Sequence, residues 1–231
     1  MWSAAFASSC ADSLSEDTRE LLWLRGVSDE QIAQFQVGYI DGFLPEGDYP
    51  EAFLKWSGGG SKLVNSFVLP LTNWLGEVKG FQFRSADRSV GGYMDFFLDY
   101  KEPVFFGLGQ AAPFVWSTGE VCVVEGAFDL FPVHRVLPNT ISTLTAKVTL
   151  QLIRSLRRLV DRVYVFYDND SAGIKASAKF AETYGPVLDI RRIEYPIGVL
   201  MSNGHKVKDP NDLWEVLGDH KLADHLRLQM R

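Results

Sequence analysis

VYVFYDNDSAGIKAS, residues 163–177, runs as an unbroken apolar strand pattern, stops on two aspartates separated by one residue, and turns into a small, glycine-containing helical segment. A continuous apolar run of this kind is the mark of a strand covered on both faces. Asp168 and Asp170 at its end invite two readings. A carboxylate at a helix start accepts otherwise unpaired amide hydrogens, so either residue can serve as a cap. Successive strand side chains alternate faces, so an acid-x-acid pair can also aim both carboxylates the same way, as a metal site requires. The stretch by itself leaves both open.

Working outward, the pattern from about residue 118 alternates strand and helix: EVCVVEG strand, AFDLFPVHRVL helix, NTIST strand, AKVTLQLIRSLRRLV helix, RVYVFYDND strand, SAGIKASAKFAETYG helix and VLDIRRIEY strand. Such alternation implies crossover connections and a mainly parallel sheet. Ligands of these sheets gather beyond the carboxyl ends of the strands. Glu125 stands at one such end and Asp168 with Asp170 at another, so the fold class predicts that all three converge on one edge. Asp129 lies one helical turn beyond Glu125, on the same side of its helix. After the last strand, VKDPND (207–212) carries Asp209 and Asp212 around Pro210 in a turn that leads into LWEVLG. Carboxylates crowded together resist ionisation unless a cation compensates them. Oxygen ligands without a histidine or cysteine cluster select magnesium or manganese over zinc. Three acidic motifs at strand ends therefore favour a metal site over simple caps.

Upstream, EDTRELLWLR (16–25) and SDEQIAQFQ, which opens on the cap Ser28 and runs to Gly38, predict two short helices joined by a tight turn. SGGGSK (57–62) lacks the glycine, lysine and hydroxyl spacing of a P-loop and reads as a flexible connection. Residues 64–84 predict two strands around a polar turn, with Pro70 placing the first at an edge or an irregularity. A looser aromatic- and glycine-rich segment follows over 85–112. Its GLGQAA lacks the preceding strand that a dinucleotide fingerprint needs.

Composition bounds the alternatives. With 231 residues, 46% hydrophobic and 23% charged, the chain has the make-up of one large or two small globular domains. A net charge of −6 argues against coating nucleic acid with the whole surface but allows a local basic groove. The two cysteines, Cys10 and Cys122, exclude a disulfide framework and a cysteine-rich zinc module. MWSAAFASSCADS has no basic segment or long apolar core, so it is not read as a signal peptide. No run approaches the ~18 apolar residues of a membrane span, and a reducing, cytoplasmic setting is the expectation.

The motifs EG…D, DND and KDPND, in this order, with an acid at the first strand end, a pair about forty residues on and an acidic turn about forty beyond, resemble the TOPRIM domain shared by topoisomerases, primases and some nucleases. The helix-opening SAG resembles the family as well. LWLRGVSDEQIAQFQVGYIDG, FVLPLTNWLGEVKGFQFRS and VFFGLGQA followed by VVEGAFDLF resemble the RNA polymerase core of DnaG-type primases in a compact phage or mobile-element version, a likeness that covers roughly residues 18–218. The fold implied is a Rossmann-like, mainly parallel sheet flanked by helices and preceded by a smaller α+β domain. Expected boundaries are 1–17 for an amino-terminal tail, 18–117 for the α+β subdomain, 118–212 for the TOPRIM catalytic domain and 213–231 for carboxyl-terminal helices.

The resemblance implies synthesis of short RNA primers on single-stranded DNA from ribonucleoside triphosphates in a bacterial or phage-infected cell. It implies magnesium or manganese as two ions, and no zinc. Asp168, Asp170 and Asp209 would bind metal, Asp129 and Asp212 would stand behind them, and Glu125 would bind metal or carry a proton. Glu125, Asp168 and Asp170 are the expected catalytic set. Lys62, Lys79, Arg84, Lys101 and Lys175 are the expected nucleotide and DNA contacts, Arg84 fitting the family best. The aromatics Trp74, Phe81, Phe83, Tyr93, Phe96 and Phe97 read mostly as core, with base stacking as the alternative. RSLRR (154–158) reads as surface decoration of a crossover helix.

Departures from the family pattern are plain. Its zinc ribbon and helicase-binding region have no counterpart in these residues, which leaves a replicative helicase or a separate zinc-containing protein as conceivable partners. STLTAK lacks the usual glycine, and Lys62 and Asn65 stand where paired arginines are expected. Two rival functions follow: a TOPRIM nuclease using the same acids, and a noncatalytic binding or replication-regulating protein with weakened nucleotide contacts. A topoisomerase would need further domains.

Overall fold

The computed structural model describes residues 2–87, 89–90, 92–98, 104–144 and 150–230, in two units, Met1–Val104 and Phe105–Arg231. The amino-terminal residues expected as a tail instead form a buried helix, α1 (Trp2–Asp12), whose Phe6, Ala7 and Cys10 are at most 2% exposed. Small residues let its backbone approach strand β1 (Gly38–Ile40) closely. An added Cβ on Gly38 would stand 2.5 Å from Cys10 Cβ and 2.6 Å from its carbonyl carbon. Phe6 meets Phe81 at 5.0 Å between ring centroids, and Trp2 meets Phe53 at 5.1 Å. Burying each such ring is worth about 1.5–3 kcal/mol, which is why this segment folds inward.

Helices α2 (Glu16–Trp23) and α3 (Asp29–Gln34) follow as expected, with Ser15 capping the first and a reciprocal Ser28–Gln31 capping box on the second. Helix α4 (Glu51–Ser57) ends at Gly58 in the left-handed region (φ 62°), and a single 3₁₀ turn over Ser61–Leu63 buries Leu63. SGGGSK is therefore an anchored turn rather than a flexible connection. Strands β2 (Ser66–Thr72), β3 (Val78–Ser85) and β4 (Tyr93–Phe97) complete an antiparallel sheet in the order β1-β2-β3-β4. Pro70 falls beyond the reach of β1, which pairs only with residues 66–68, so β2 has one neighbour at the proline.

The second unit contains α5 (Leu108–Thr118), β5 (Glu120–Val124), α6 (Ala127–Val136), β6 (Thr140–Ser142), α7 (Leu150–Leu156), β7 (Arg162–Phe166), α8 (Ser171–Tyr184), β8 (Asp189–Arg192) and α9 (Pro210–Gln229). GLGQAA thus opens a helix that belongs with this unit, ahead of the expected boundary at residue 118. Residues 145–149, part of STLTAK and of the expected helix start, lie outside the described residues. All four strands are parallel in the order β6-β5-β7-β8. The chain leaves β5 for β6 on one side and returns to β7 on the other, so the connection reverses direction between β5 and β7, where such sheets open a crevice. Val121–Val124 and Val163–Phe166 are at most 1% exposed, as strands covered on both faces should be.

Helix α9 starts at residue 210, earlier than the expected 213, with Pro210 in its first turn, and kinks at Gly218 (φ 68°, ψ 172°). It is pinned to α6 by Arg135, which contacts Asp219 at 3.2 Å and lies 5.2 Å over the Trp214 ring. Among the described residues no helix is long and apolar enough to cross a membrane.

Gly38→Ala is expected to destabilise the protein by about 1–3 kcal/mol, because backbone atoms of α1 occupy the space a methyl group needs. Gly42→Ala, with nothing within 4 Å of the added carbon, is the neutral control. Urea denaturation of both variants checks this, and equal midpoints would contradict the close packing of α1.

Candidate active site

Register brings the acids together. Val124 pairs with Phe166, so the next residues, Glu125 and Tyr167, emerge side by side at the carboxyl edge, and Asp168 follows one residue later. The Ser142 hydroxyl donates to the Glu125 carbonyl at 2.9 Å, and Thr143 donates through both amide and hydroxyl to the Val124 carbonyl (3.0 and 3.2 Å). The edge strand β6 thereby fixes the backbone where Glu125 departs.

The acid-x-acid turn is held from two directions. Asp170 Oδ1 accepts from the amides of Ala172 (2.9 Å) and Gly173 (2.8 Å), so capping is one of its functions. A Cβ on Gly173 would stand 2.3 Å from the Asp168 carbonyl oxygen, so the glycine of SAG is what lets α8 seat against the turn. On the other side Asn169 donates from its amide to the Lys208 carbonyl (2.6 Å) and from its side chain to the Val207 carbonyl (3.0 Å). That pair of bonds ties KDPND to DND across nearly forty residues of chain.

The other acids also cap. Asp209 Oδ1 accepts from the Asp212 amide at 2.7 Å, Asp212 Oδ2 from the Lys208 amide at 2.9 Å, and Asp129 Oδ2 from the Gly126 amide at 3.0 Å. Each of these three bonds engages a single carboxylate oxygen, and the Asn211 amide also favours the charged forms of Asp129 and Asp209. Asp168 differs: its Oδ1 is buried with no hydrogen-bond partner.

Electrostatics follow from this crowding. Burial first, then the charges of Glu125, Asp209, Asp170 and Asp212, push the Asp168 carboxyl from its ordinary 3.8 up to about 7. Burial, with Asp209 and Asp168 beside it, drives Asp129 well above the usual carboxylate range, against the stabilising amide of Gly126. Glu125 is raised by burial and Asp170, and Asp209 by burial with Asp212 and Glu215 nearby. Among the described residues no group of three or more acidic, histidine or cysteine side chains is already gathered tightly enough to grip one ion. The donor chemistry nevertheless fits a hard divalent cation: the charged groups acting on Asp168 are all carboxylates, and one oxygen of Asp168 is a buried orphan.

Lys62, Lys79 and Arg84 belong to the first unit. Lys62 donates to the Trp56 carbonyl at 2.9 Å and Lys79 pairs with Glu77 at 3.1 Å, both within the first unit. Arg84 lies 5.6 Å over the half-exposed Tyr93 ring. Lys175 is exposed on α8, as are Arg154, Arg157 and Arg158 at and after α7. Lys101 lies outside the described residues. Phe81 and Phe83 are core, as expected. Two residues that the motifs do not include are Asn169, hidden between the two aspartates it positions, and Tyr195, whose hydroxyl is buried without a partner and whose ionisation is opposed by burial and by the charges of Asp129, Asp168, Asp209 and Asp212. An aromatic after an apolar strand reads as core, so nothing local marked Tyr195.

Residues 122–214 match the Toprim-like family. The chain is 25% identical to the DNA primase of Thermotoga maritima over 92% of this chain and 40% of that protein. It is 29% identical to the DNA primase of Neisseria meningitidis over 71% of this chain and 31% of that one. It thus spans well under half the length of these relatives. Among solved structures, the RNA polymerase domain of Mycobacterium tuberculosis primase DnaG superposes with a TM-score of 0.79 at 22% identity, covering 97% of this chain and 81% of that one. The Escherichia coli primase catalytic core does so with 0.78 at 21% identity, covering 98% and 79%. A DnaG primase catalytic domain solved bound to single-stranded DNA gives 0.75 at 22% identity, covering 98% and 77%. The second unit thus contains a stretch similar to the Toprim-like family, and the chain has the fold of the DnaG catalytic core.

A pH dependence follows from Asp168. The folded protein keeps a proton there that the unfolded chain releases near pH 4, so this contribution to stability is full below that pH and is lost as pH rises towards about 7. In chelator, wild type should lose up to ~1.4 kcal/mol per pH unit relative to Asp168→Asn over that window. Magnesium or manganese should restore the wild type at pH 8. Thermal melts of both proteins from pH 4 to 8 measure this, and parallel curves would contradict the burial of Asp168.

Proposed function

We propose that this chain is the polymerising core of a DnaG-type primase, joining ribonucleoside triphosphates on a single-stranded DNA template. The observation that carries the reading is the convergence of the Glu125, Asp168 and Asp209 motifs on the carboxyl edge of the parallel sheet, at its reversal between β5 and β7. The primase-like fold of the whole chain supports the same reading.

Asp168, Asp170 and Asp209 would hold magnesium or manganese, two ions in all, with Asp129 and Asp212 behind them. Such ions, when bound, activate a 3′ hydroxyl and stabilise a departing pyrophosphate. In the transfer, the hydroxyl oxygen bonds to the α-phosphorus, the bridge to the β-phosphate breaks, and the hydroxyl proton needs an acceptor. Glu125 suits that task, because burial and Asp170 raise its carboxyl towards the range where a general base works best. Its backbone is immobilised by Ser142, which keeps the acceptor in place.

Template and triphosphate need positive charge outside the acids. Lys62 and Lys79 are engaged within their own unit, so Arg84 and Lys175 are the better candidates, with Lys101 alongside them. An arginine held over the Tyr93 ring carries a planar fork of donors, which suits phosphate.

Incubation with single-stranded DNA of varied sequence, manganese or magnesium and labelled ribonucleotides should yield short, template-dependent oligomers. Glu125→Gln and Asp168→Asn should each lower the yield by at least about a hundredfold while leaving the fold intact by circular dichroism. Cleavage of the DNA without synthesis would replace the primase reading with a nuclease. Normal turnover in either variant would overturn the site assignment.

A further inference from the structure

Tyr195 belongs to none of the acidic motifs, yet it stands three residues past the end of β8, on the same carboxyl edge of the sheet. Its ring packs on Phe166 with centroids 5.0 Å apart and planes at 40°. Phe166 is the last residue of β7, two residues before Asp168, so the strand that delivers the carboxylate also braces the phenol. The Tyr195 hydroxyl oxygen is buried and without a hydrogen-bond partner, and so is Asp168 Oδ1. The acids acting on the phenol are Asp129, Asp168, Asp209 and Asp212. A donor and an acceptor, both buried and both unsatisfied, therefore stand on the two segments that the Phe166–Tyr195 ring contact joins at the carboxyl edge.

Ionised carboxylates only accept hydrogen bonds, and a neutral phenol can donate one. A buried hydroxyl left unpaired is costly, whereas one given to a charged acceptor is among the stronger hydrogen bonds a protein makes. Metal ligands are commonly oriented by such a donor on the side away from the ion. We propose that Tyr195 is a positioning residue for the metal-binding carboxylates, its phenol donating to Asp168 when the acids are drawn together around a cation. The inference rests on the metal-binding reading of these acids. It adds that the loop after β8, outside all the acidic motifs, sets how well they bind.

The test is manganese binding to the full chain, measured by the electron spin resonance signal of the free ion, for wild type, Tyr195→Phe and Asp168→Asn. Tyr195→Phe keeps the ring on Phe166 and removes only the hydroxyl. It should weaken manganese binding about tenfold, ~1.4 kcal/mol, while the melting temperature in chelator stays unchanged or rises, because an unpaired buried group has been removed. Affinity within twofold of wild type would overturn the proposal. So would an affinity loss accompanied by a matching drop in the metal-free melting temperature, which is the signature of a merely structural ring. Asp168→Asn separates the two levels: if it too leaves manganese binding unchanged, the metal reading of the acids falls and takes this inference with it. If Asp168→Asn loses binding and Tyr195→Phe does not, the role of Tyr195 alone is wrong.

Discussion

Val124 stands opposite Phe166 in the parallel pair β5–β7, and that register dictates where the negative charge of the second unit must go. Both strands are buried on both faces, so neither can turn a carboxylate sideways into the core without an uncompensated charge. The first place an acid can emerge is past the last paired residue. Glu125 and Asp168 both emerge there, and they emerge together because the strands are neighbours in register. Burial and then mutual repulsion, which together raise the Asp168 carboxyl, are consequences of sheet topology before they are features of any catalyst.

The repulsion is tolerated because most of these acids have structural work as well. Asp170 and Asp209 cap α8 and α9, where a helix start favours negative charge. Asp129 and Asp212 accept backbone amides of their own turns. Capping and metal binding, which compete as explanations of an isolated acid-x-acid pair, are compatible in the folded protein, since the two cap bonds of Asp170 share one oxygen, Oδ1. Asp168 is the exception, and its unpartnered oxygen is the strongest local sign that something further is meant to bind.

Much of this was legible from pattern. Apolar runs ending on acids imply buried parallel strands and a charged edge, and the caps Ser28 and Asp170 were visible as residue types. The misreadings are instructive. Residues 1–17 read as a tail because the family likeness starts at about residue 18, yet Phe6 and Trp2 join an aromatic core that includes Phe53, Phe81 and Phe96. SGGGSK looked flexible because glycine is permissive, yet its glycines end one helix and start a turn. For α1 the deciding partners lie tens of residues away, where periodicity carries no information, whereas SGGGSK is settled by the helix end and turn it joins.

Sequence alone determined the class of the second unit, the identity of its acids and the edge on which they collect. Those properties depend on strand alternation, burial and the rule that parallel sheets bind at their carboxyl ends, all of which act over short spans. Only the tertiary structure decided which oxygens are already engaged, that Asn169 holds the two acidic turns together, and that a tyrosine with a buried, unpartnered hydroxyl packs on the end of the strand that carries Asp168. Those depend on distances between segments far apart in the chain, and hydrogen bonds and Coulomb interactions are set by such distances rather than by residue type.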